Sequence, residues 1–214
     1  QEAARLWEEE LGQPAKALES LRKAFEIDPR DEVLLSDIER LAAASGAWES
    51  LRGLVEAVEA SGDADRDLLR DLNLRAAVWY RDHLGDNASA ETRLRSALSS
   101  DPEAASAHEQ LVALLRVPDR EADRIAALRA WAEIEIDDFA KKERLREAAR
   151  LAETALGDSE TAGRCYEAIL DVDPSDVTAI DDLVRIRREE SRWGDVIKLL
   201  ERRVELEMEP VVRL

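Results

Sequence analysis

The feature that most constrains this chain is an internal repeat. Three segments align without gaps: LGQPAKALESLRKAFEIDP (Leu11–Pro29), LGDNASAETRLRSALSSDP (Leu84–Pro102) and LGDSETAGRCYEAILDVDP (Leu156–Pro174). Each opens on Leu-Gly and closes on Asp-Pro. Each carries an alanine (Ala17, Ala90, Ala162) followed four residues later by a large apolar side chain (Leu21, Leu94, Tyr166). The copies return at a nearly constant period of about 72–73 residues. A unit that recurs in this way is one supersecondary block. It cannot bury its apolar face alone, so neighbouring blocks must stack.

Each segment has a mechanical reading. Glycine accepts a left-handed backbone at little steric cost, so Gly12, Gly85 and Gly157 end one helix. The following helix puts its alanine where two helices cross closely, and the large residue one turn later fills the space beside it. The residue before a proline is pushed out of helical geometry, so Asp-Pro closes that helix. Shorter halves lie between the segments. Gly46-Ala47-Trp48 and Ser191-Arg192-Trp193 are matching turns, and Val117–Asp119 holds the equivalent place in the middle copy. The turns fall at Gly12, Gly46, Gly85, Pro118, Gly157 and Ser191, and the intervals between them alternate shorter and longer. The unit is thus a pair of unequal helical hairpins. The expected helices are 2–11, 14–27, 31–45, 47–60, 65–84, 87–99, 103–116, 119–136, 138–156, 158–171, 175–190 and 192–207. Apolar positions recur between units and predict core stripes at helical spacing: Ile38/Leu111/Leu183, Leu41/Leu114/Ile186, Val55/Leu128/Leu200 and Leu6/Trp79/Leu151.

Composition agrees with an all-helical chain. Glycine (8) and proline (6) are too scarce in 214 residues for the turns of a sandwich or barrel, and alanine, leucine, glutamate and arginine dominate. The 45% apolar content separates the chain from disordered acidic sequences. Lys+Arg is 31 against 49 Asp+Glu, a net charge of −18 shared evenly by the two halves. That balance excludes general nucleic-acid binding and disfavours anionic membrane surfaces, while a basic protein partner is allowed. One cysteine, Cys165, rules out an intrachain disulfide, and no apolar run reaches the length of a membrane span. Arginine outnumbers lysine 26 to 5, a bias associated with GC-rich bacterial coding sequences. Gln1 is not an initiator methionine and the first residues already read as helix. The chain therefore reads as a segment of a longer protein, expected in the cytoplasm.

These residues resemble the tetratricopeptide repeat, whose pattern sets a small residue, a large one four later and a proline eight after that. Ala17/Leu21/Pro29 and its two copies match it. The turn-plus-helix stretches Gly46–Val58 and Ser191–Val204 resemble the second half of the motif, and Arg192–Leu206 resembles a hairpin of long bacterial arrays. The resemblance spans essentially the whole chain. It implies an all-α, right-handed superhelical solenoid of about twelve antiparallel helices in about six hairpins. It also implies a groove that binds a peptide or a partner's helix. The units would be 11–83, 84–155 and 156–214 of one solenoid. Two departures stand out. Gly62-Asp63 and Asp137-Asp138 replace proline after the even hairpins, and the first helix of each odd hairpin is one residue out of register before its glycine. The carboxylate-gripping form of the family relies on paired lysines and asparagines. With only Asn73 and Asn87 present, that clamp is not expected here.

No residue set points to catalysis, a metal or a cofactor. His83 and His108 read as surface or groove histidines, far apart in sequence and remote from Cys165, which reads as a buried thiol. The spaced aspartates Asp63-x-Asp65-x-Asp67 and Asp171-x-Asp173 lack the glycine and glutamate of a calcium loop and read as helix caps. Candidate partner-binding residues are Arg40 and Arg185, which align across units, together with Arg75 and Trp79 on a long first-type helix. Of the five tryptophans, Trp79 is the one expected to be exposed, while Trp48 and Trp193 are expected to pack hairpins. The expected function is a non-catalytic protein-interaction scaffold. The alternative is a regulatory or sensor segment that binds a small ligand or a neighbouring domain. A third expectation is self-association through apolar faces left open near Val211, Val212 and Leu214.

Overall fold

The computed structural model describes residues 2–208. The described residues form twelve α-helices and no strand. In order these are α1 (Glu2–Arg5), α2 (Pro14–Ile27), α3 (Glu32–Ser45), α4 (Leu54–Ser61), α5 (Arg66–Val78), α6 (Asn87–Ser100), α7 (Ala105–Leu114), α8 (Glu121–Ile134), α9 (Asp138–Leu151), α10 (Ser159–Val172), α11 (Val177–Glu189) and α12 (Trp193–Met208). The chain divides into two compact units, Gln1–Ala107 and His108–Leu214. In the first, α2 packs on α1, α3 and α4, and α5 packs on α4 and α6. In the second, consecutive helices pair from α8 to α12. Short turns between neighbours that pack side by side make those neighbours antiparallel. Val211, Val212 and Leu214 lie outside the described residues.

The turns expected from spacing are left-handed. Gly12, Gly46, Gly85 and Gly157 all have positive φ, and so do the non-glycine residues Asp119 (63°) and Ser191 (58°). The middle turn therefore pivots at Asp119, one residue beyond the expected position. After each Asp-Pro pair the same device recurs. The Asp28, Asp101 and Asp173 carboxylates each accept the backbone N–H two residues on, from Arg30, Glu103 and Ser175. Aspartates also cap helix starts by accepting main-chain N–H groups: Asp31 for α3, Asp65 for α5, Asp86 for α6, Asp137 for α9, Asp158 for α10 and Asp176 for α11. The small–large pairs Ala17/Leu21, Ala90/Leu94 and Ala162/Tyr166 are all buried.

Two departures from the expected helix map have physical causes. The helix expected at 47–60 is broken into a 3₁₀ turn, Trp48–Leu51, and α4, because Gly53 takes φ +80°. Its counterpart on α12 is Lys198, and there the helix runs unbroken. The second departure explains the one-residue register shift before the Leu-Gly turns. A π-turn follows α1 at Leu6–Glu10, α5 at Trp79–His83 and α9 at Ala152–Leu156. A π-turn accommodates one extra residue in an α-helix while leaving the packing on both sides in place. Each π-turn then closes on its glycine turn through a backbone bond to the carbonyl six residues back: Gln13 N–H to Trp7 (2.7 Å), Asp86 to Tyr80 (2.8 Å) and Asp158 to Ala152 (2.9 Å).

Two members of the expected core stripes face solvent. Leu6 on the first π-turn and Leu200 on α12 are exposed, whereas their counterparts Trp79, Val55 and Leu128 are buried. Val55 and Leu128 sit on helices that pack against α5 and α9 respectively. Among the described residues no helix covers the equivalent face of α12.

Candidate functional site

The four candidate partner-binding residues are all engaged by carboxylates of their own unit. Arg40, on α3, reaches the π-turn after α1, where both its Nη atoms donate to the Glu8 carboxylate at 2.8 and 3.0 Å; its Nε donates to Asp37. The guanidinium holds the Glu8 carboxyl below its ordinary range. Arg185, on α11, makes the equivalent bond to Glu153 of the last π-turn at 2.5 Å, with Asp182 and Glu189 nearby. The alignment of Arg40 with Arg185 thus extends to their partners: in both copies the π-turn presents the receiving carboxylate. The middle copy has Arg81 at that π-turn position, and it pairs with the adjacent Asp82.

Arg75 and Trp79 meet on one carboxylate. Arg75 Nη1 and Trp79 Nε1 donate to the two oxygens of Glu39 at 3.1 and 2.9 Å, and Arg75 Nη2 reaches Glu32 at 2.7 Å. Trp79 is 3% exposed, which corrects the expectation that it is the exposed tryptophan. Its indole N–H donates to Glu39 of α3, a partner on another helix that the local sequence does not reveal. Trp193 is exposed instead, at 59%, which corrects its reading as a hairpin-packing residue; its side of α12 is uncovered among the described residues. Trp48 stacks flat on His83, ring centroids 3.8 Å apart. His108 is buried, which corrects its reading as a surface or groove histidine. Cys165 is fully buried, and burial raises its thiol.

The open surface with the most varied chemistry lies in the second unit, along α9. Trp131 of α8 forms its apolar side, with Arg144, Arg146, Glu147, Arg150 and Thr154 along the rim. The Arg144 guanidinium lies over the Trp131 ring at 3.8 Å and pairs with Glu135 at 2.6 Å. Arg146 pairs with Asp176 at 2.9 Å and with Glu143, and Glu147 pairs with Arg124. Arg150 is exposed, and among the described residues no hydrogen bond or ion pair engages its guanidinium. A cation held over an aromatic floor beside a second, uncommitted cation can receive an acidic side chain flanked by an apolar one.

Sequence reasoning missed this groove because Trp131 and Arg150 lie far apart in sequence, on different helices. The spacing Arg146–Arg150–Thr154, one helical turn per step, is the signal that marks a common face. The reading also missed two buried cations. Arg93 is held by Glu56 and Asn73, and Arg187 by Glu167 and Glu190. Among the described residues no group of three or more His, Cys, Asp and Glu is placed to hold a metal ion. No helix of the described residues is long and apolar enough to cross a membrane.

Residues 8–31 match the family model of the tetratricopeptide repeat. The fold is similar to the crystal structure of MamA protein, at 16% identity and a TM-score of 0.42, over 83% of this chain and 93% of that one. It is also similar to a tetratricopeptide repeat protein from Parabacteroides merdae ATCC 43184, at 15% identity and a TM-score of 0.43, over 94% of this chain and 75% of that one. The sequence matches no curated protein.

Proposed function

We propose, from the premise that this chain belongs to the tetratricopeptide-repeat family, that it is a non-catalytic scaffold that binds a segment of a partner protein along the α9 groove. The observation that carries the reading is the groove itself: an aromatic floor with a stacked, paired arginine and an uncommitted Arg150 beside it. Such a surface suits an extended or helical segment that presents an apolar residue next to an acidic one. The pair Arg185–Glu153, in the same unit as the groove, is an auxiliary contact in this reading. Exposed ion pairs are worth about 0–1 kcal/mol, so a ligand carboxylate can exchange for the internal one at little cost. Arg75 and Trp79 have a supporting part, since they fix α5 onto Glu39.

The test is capture from host lysate on the immobilised chain at low and near-physiological salt, with an unrelated acidic helical protein as control bait. A protein retained at both salts on this chain alone is the expected result. Retention only at low salt, shared with the control, would reduce the −18 charge to an ion exchanger and overturn the reading.

A further inference from the structure

The loop between α8 and α9 sets two large apolar side chains in solvent: Ile136 is 94% exposed and Phe139 71%. Neither serves the fold. Asp137 caps α9 by accepting the Ala140 N–H. An apolar residue just before a cap normally packs on the fourth residue of the helix, and here that residue is Lys141. In the first unit Asp65 caps α5 in the same way, and the equivalents of Ile136 and Phe139 are Ala64 and Asp67. The exposure is not left by a missing neighbour either. The following helix α10 is packed on α9, and Asp67 stays exposed with α6 packed on α5. Single exposed apolar residues are ordinary, but two so close in sequence that the fold can do without mark a contact surface.

Phe139 extends the α9 groove. Phe139, Glu143, Arg146 and Arg150 follow one another at steps of four, three and four, which puts them on one side of the helix. The last three already line the groove. At a rise of about 1.5 Å per residue, Phe139 and Arg150 lie about 16 Å apart along α9. Arg144, stacked on the Trp131 ring, comes between them.

The two ends of this surface differ in charge. On either side of the loop, Glu133 and Asp138 are exposed, and among the described residues no ion pair engages either one. Of the nearby cations, Lys142 is taken by Asp173 and Asp176, Arg144 by Glu135, and Lys141 is half-buried. At the far end stands the uncommitted Arg150. A segment acidic throughout is repelled at the Phe139 end, and a basic one at the Arg150 end. A second copy of this chain is opposed by the −18 on each molecule.

We infer that the α9 groove takes a partner helix of divided charge. Its basic end sets an apolar residue and a lysine or arginine on Ile136, Phe139 and Asp138, its apolar middle lies on Trp131, and its acidic end meets Arg150. The two charges stand about 16 Å apart, about eleven residues of helix. A helix with acidic residues first and basic residues last has the order its own dipole favours, and it then runs antiparallel to α9. This rests on the proposed function of the groove and adds the polarity and direction of what fills it.

The test uses the intact chain and two labelled synthetic helical peptides of equal composition, followed by fluorescence anisotropy at near-physiological salt. One carries glutamates in its first turn, leucines along one face and lysines in its last turn. The other has the same charges interleaved along its length. The expected result is saturable binding of the first peptide, with the second weaker by about tenfold or more. Phe139→Asp, the residue type the first unit has there, weakens the first peptide about tenfold or more, and so does Arg150→Glu. Circular dichroism melts confirm that the variants fold. Absent binding, equal binding of the two peptides, or binding indifferent to Phe139→Asp overturns the inference. Lysate capture that Arg150→Glu removes and Phe139→Asp leaves intact also overturns it, while the reading of the groove as a binding surface stands. Capture that neither variant reduces overturns both. Concentration-dependent dimerisation abolished by Phe139→Asp makes a second copy the occupant, and peptide binding that appears only after truncation at Met208 makes it the chain's own tail. Either of these results also overturns the partner assignment.

Discussion

Ser191 and Asp119 hold a left-handed backbone with side chains that disfavour it, at φ 58° and 63°. Their counterpart, Gly46, meets the same demand with no Cβ. The left-handed region costs an L-residue on the order of 1 kcal/mol, offset in part by the entropy glycine loses on folding. Ser191→Gly is therefore expected to stabilise the second unit by about 0.5 kcal/mol, and Gly46→Ser to destabilise the first by about 1 kcal/mol. Denaturant unfolding monitored by circular dichroism measures both. The capping aspartates act at the same scale. The Ser89 backbone N–H, the Ser89 hydroxyl and the Arg52 guanidinium together hold the Asp86 carboxyl at about 2. Lys142 and then Ser175 hold Asp173 at about 2. Both folded values lie below the roughly 3.9 of an unfolded aspartate. The stabilisation they give is thus complete above about pH 4 and is lost as pH falls through about 2. Asp86→Asn is expected to flatten stability across that window, and Asp86→Ala to cost about 1 kcal/mol at neutral pH. Urea midpoints taken at steps across the acid range and at neutral pH check the first expectation, and an unaltered slope in Asp86→Asn would contradict it.

Among elements, the π-turns separate local regularity from packing. Deleting the exposed Thr154 removes the extra residue from the turn at Ala152–Leu156 and lets the helix run as regular α with both flanks in place. Deleting Glu143 from within α9 instead rotates everything beyond it by about 100°, which takes Leu145, Ala148 and Ala149 off the core face. The first deletion is expected to keep a cooperative thermal transition and the second to abolish it. The same elements show what could be read from sequence. The turns at Gly12, Gly46, Gly85, Gly157 and Ser191 fell where the spacing put them, because left-handed geometry selects its residues locally and the repeat marks Ser191 as a position where glycine is replaced. The small–large pairs were legible for the same reason, since both residues lie on one helix. The π-turns surfaced only as a register anomaly before Gly12, Gly85 and Gly157, because nothing in residue type distinguishes a π-turn from α. Trp79 was misjudged because its burial depends on Glu39, 40 residues away. The groove beside Trp131 was invisible for a like reason: its floor and its rim come from different helices.

At the scale of the whole molecule, equivalent positions have unequal weight. Leu128 is buried under α9, while Leu200 on α12 faces solvent. Leu128→Ala is expected to cost about 2–5 kcal/mol, whereas Leu200→Ala should stay within about 0.5 kcal/mol. Guanidinium unfolding of the two variants compares them directly, and equal losses would mean that the α12 face is covered. The acidic charge fits this pattern. It opposes self-association of the molecule, and it leaves Arg150, engaged by no hydrogen bond or ion pair among the described residues, as a local cation in a −18 background.

Partner binding through the α9 groove is tested most directly by lysate capture with Arg150→Glu combined with Thr154→Glu, side by side with the unaltered chain at near-physiological salt. Both positions are solvent-facing, so the melting temperature should not change. The predicted result is that the retained protein disappears from the variant. Undiminished capture of the same protein by the variant would contradict a role for the groove.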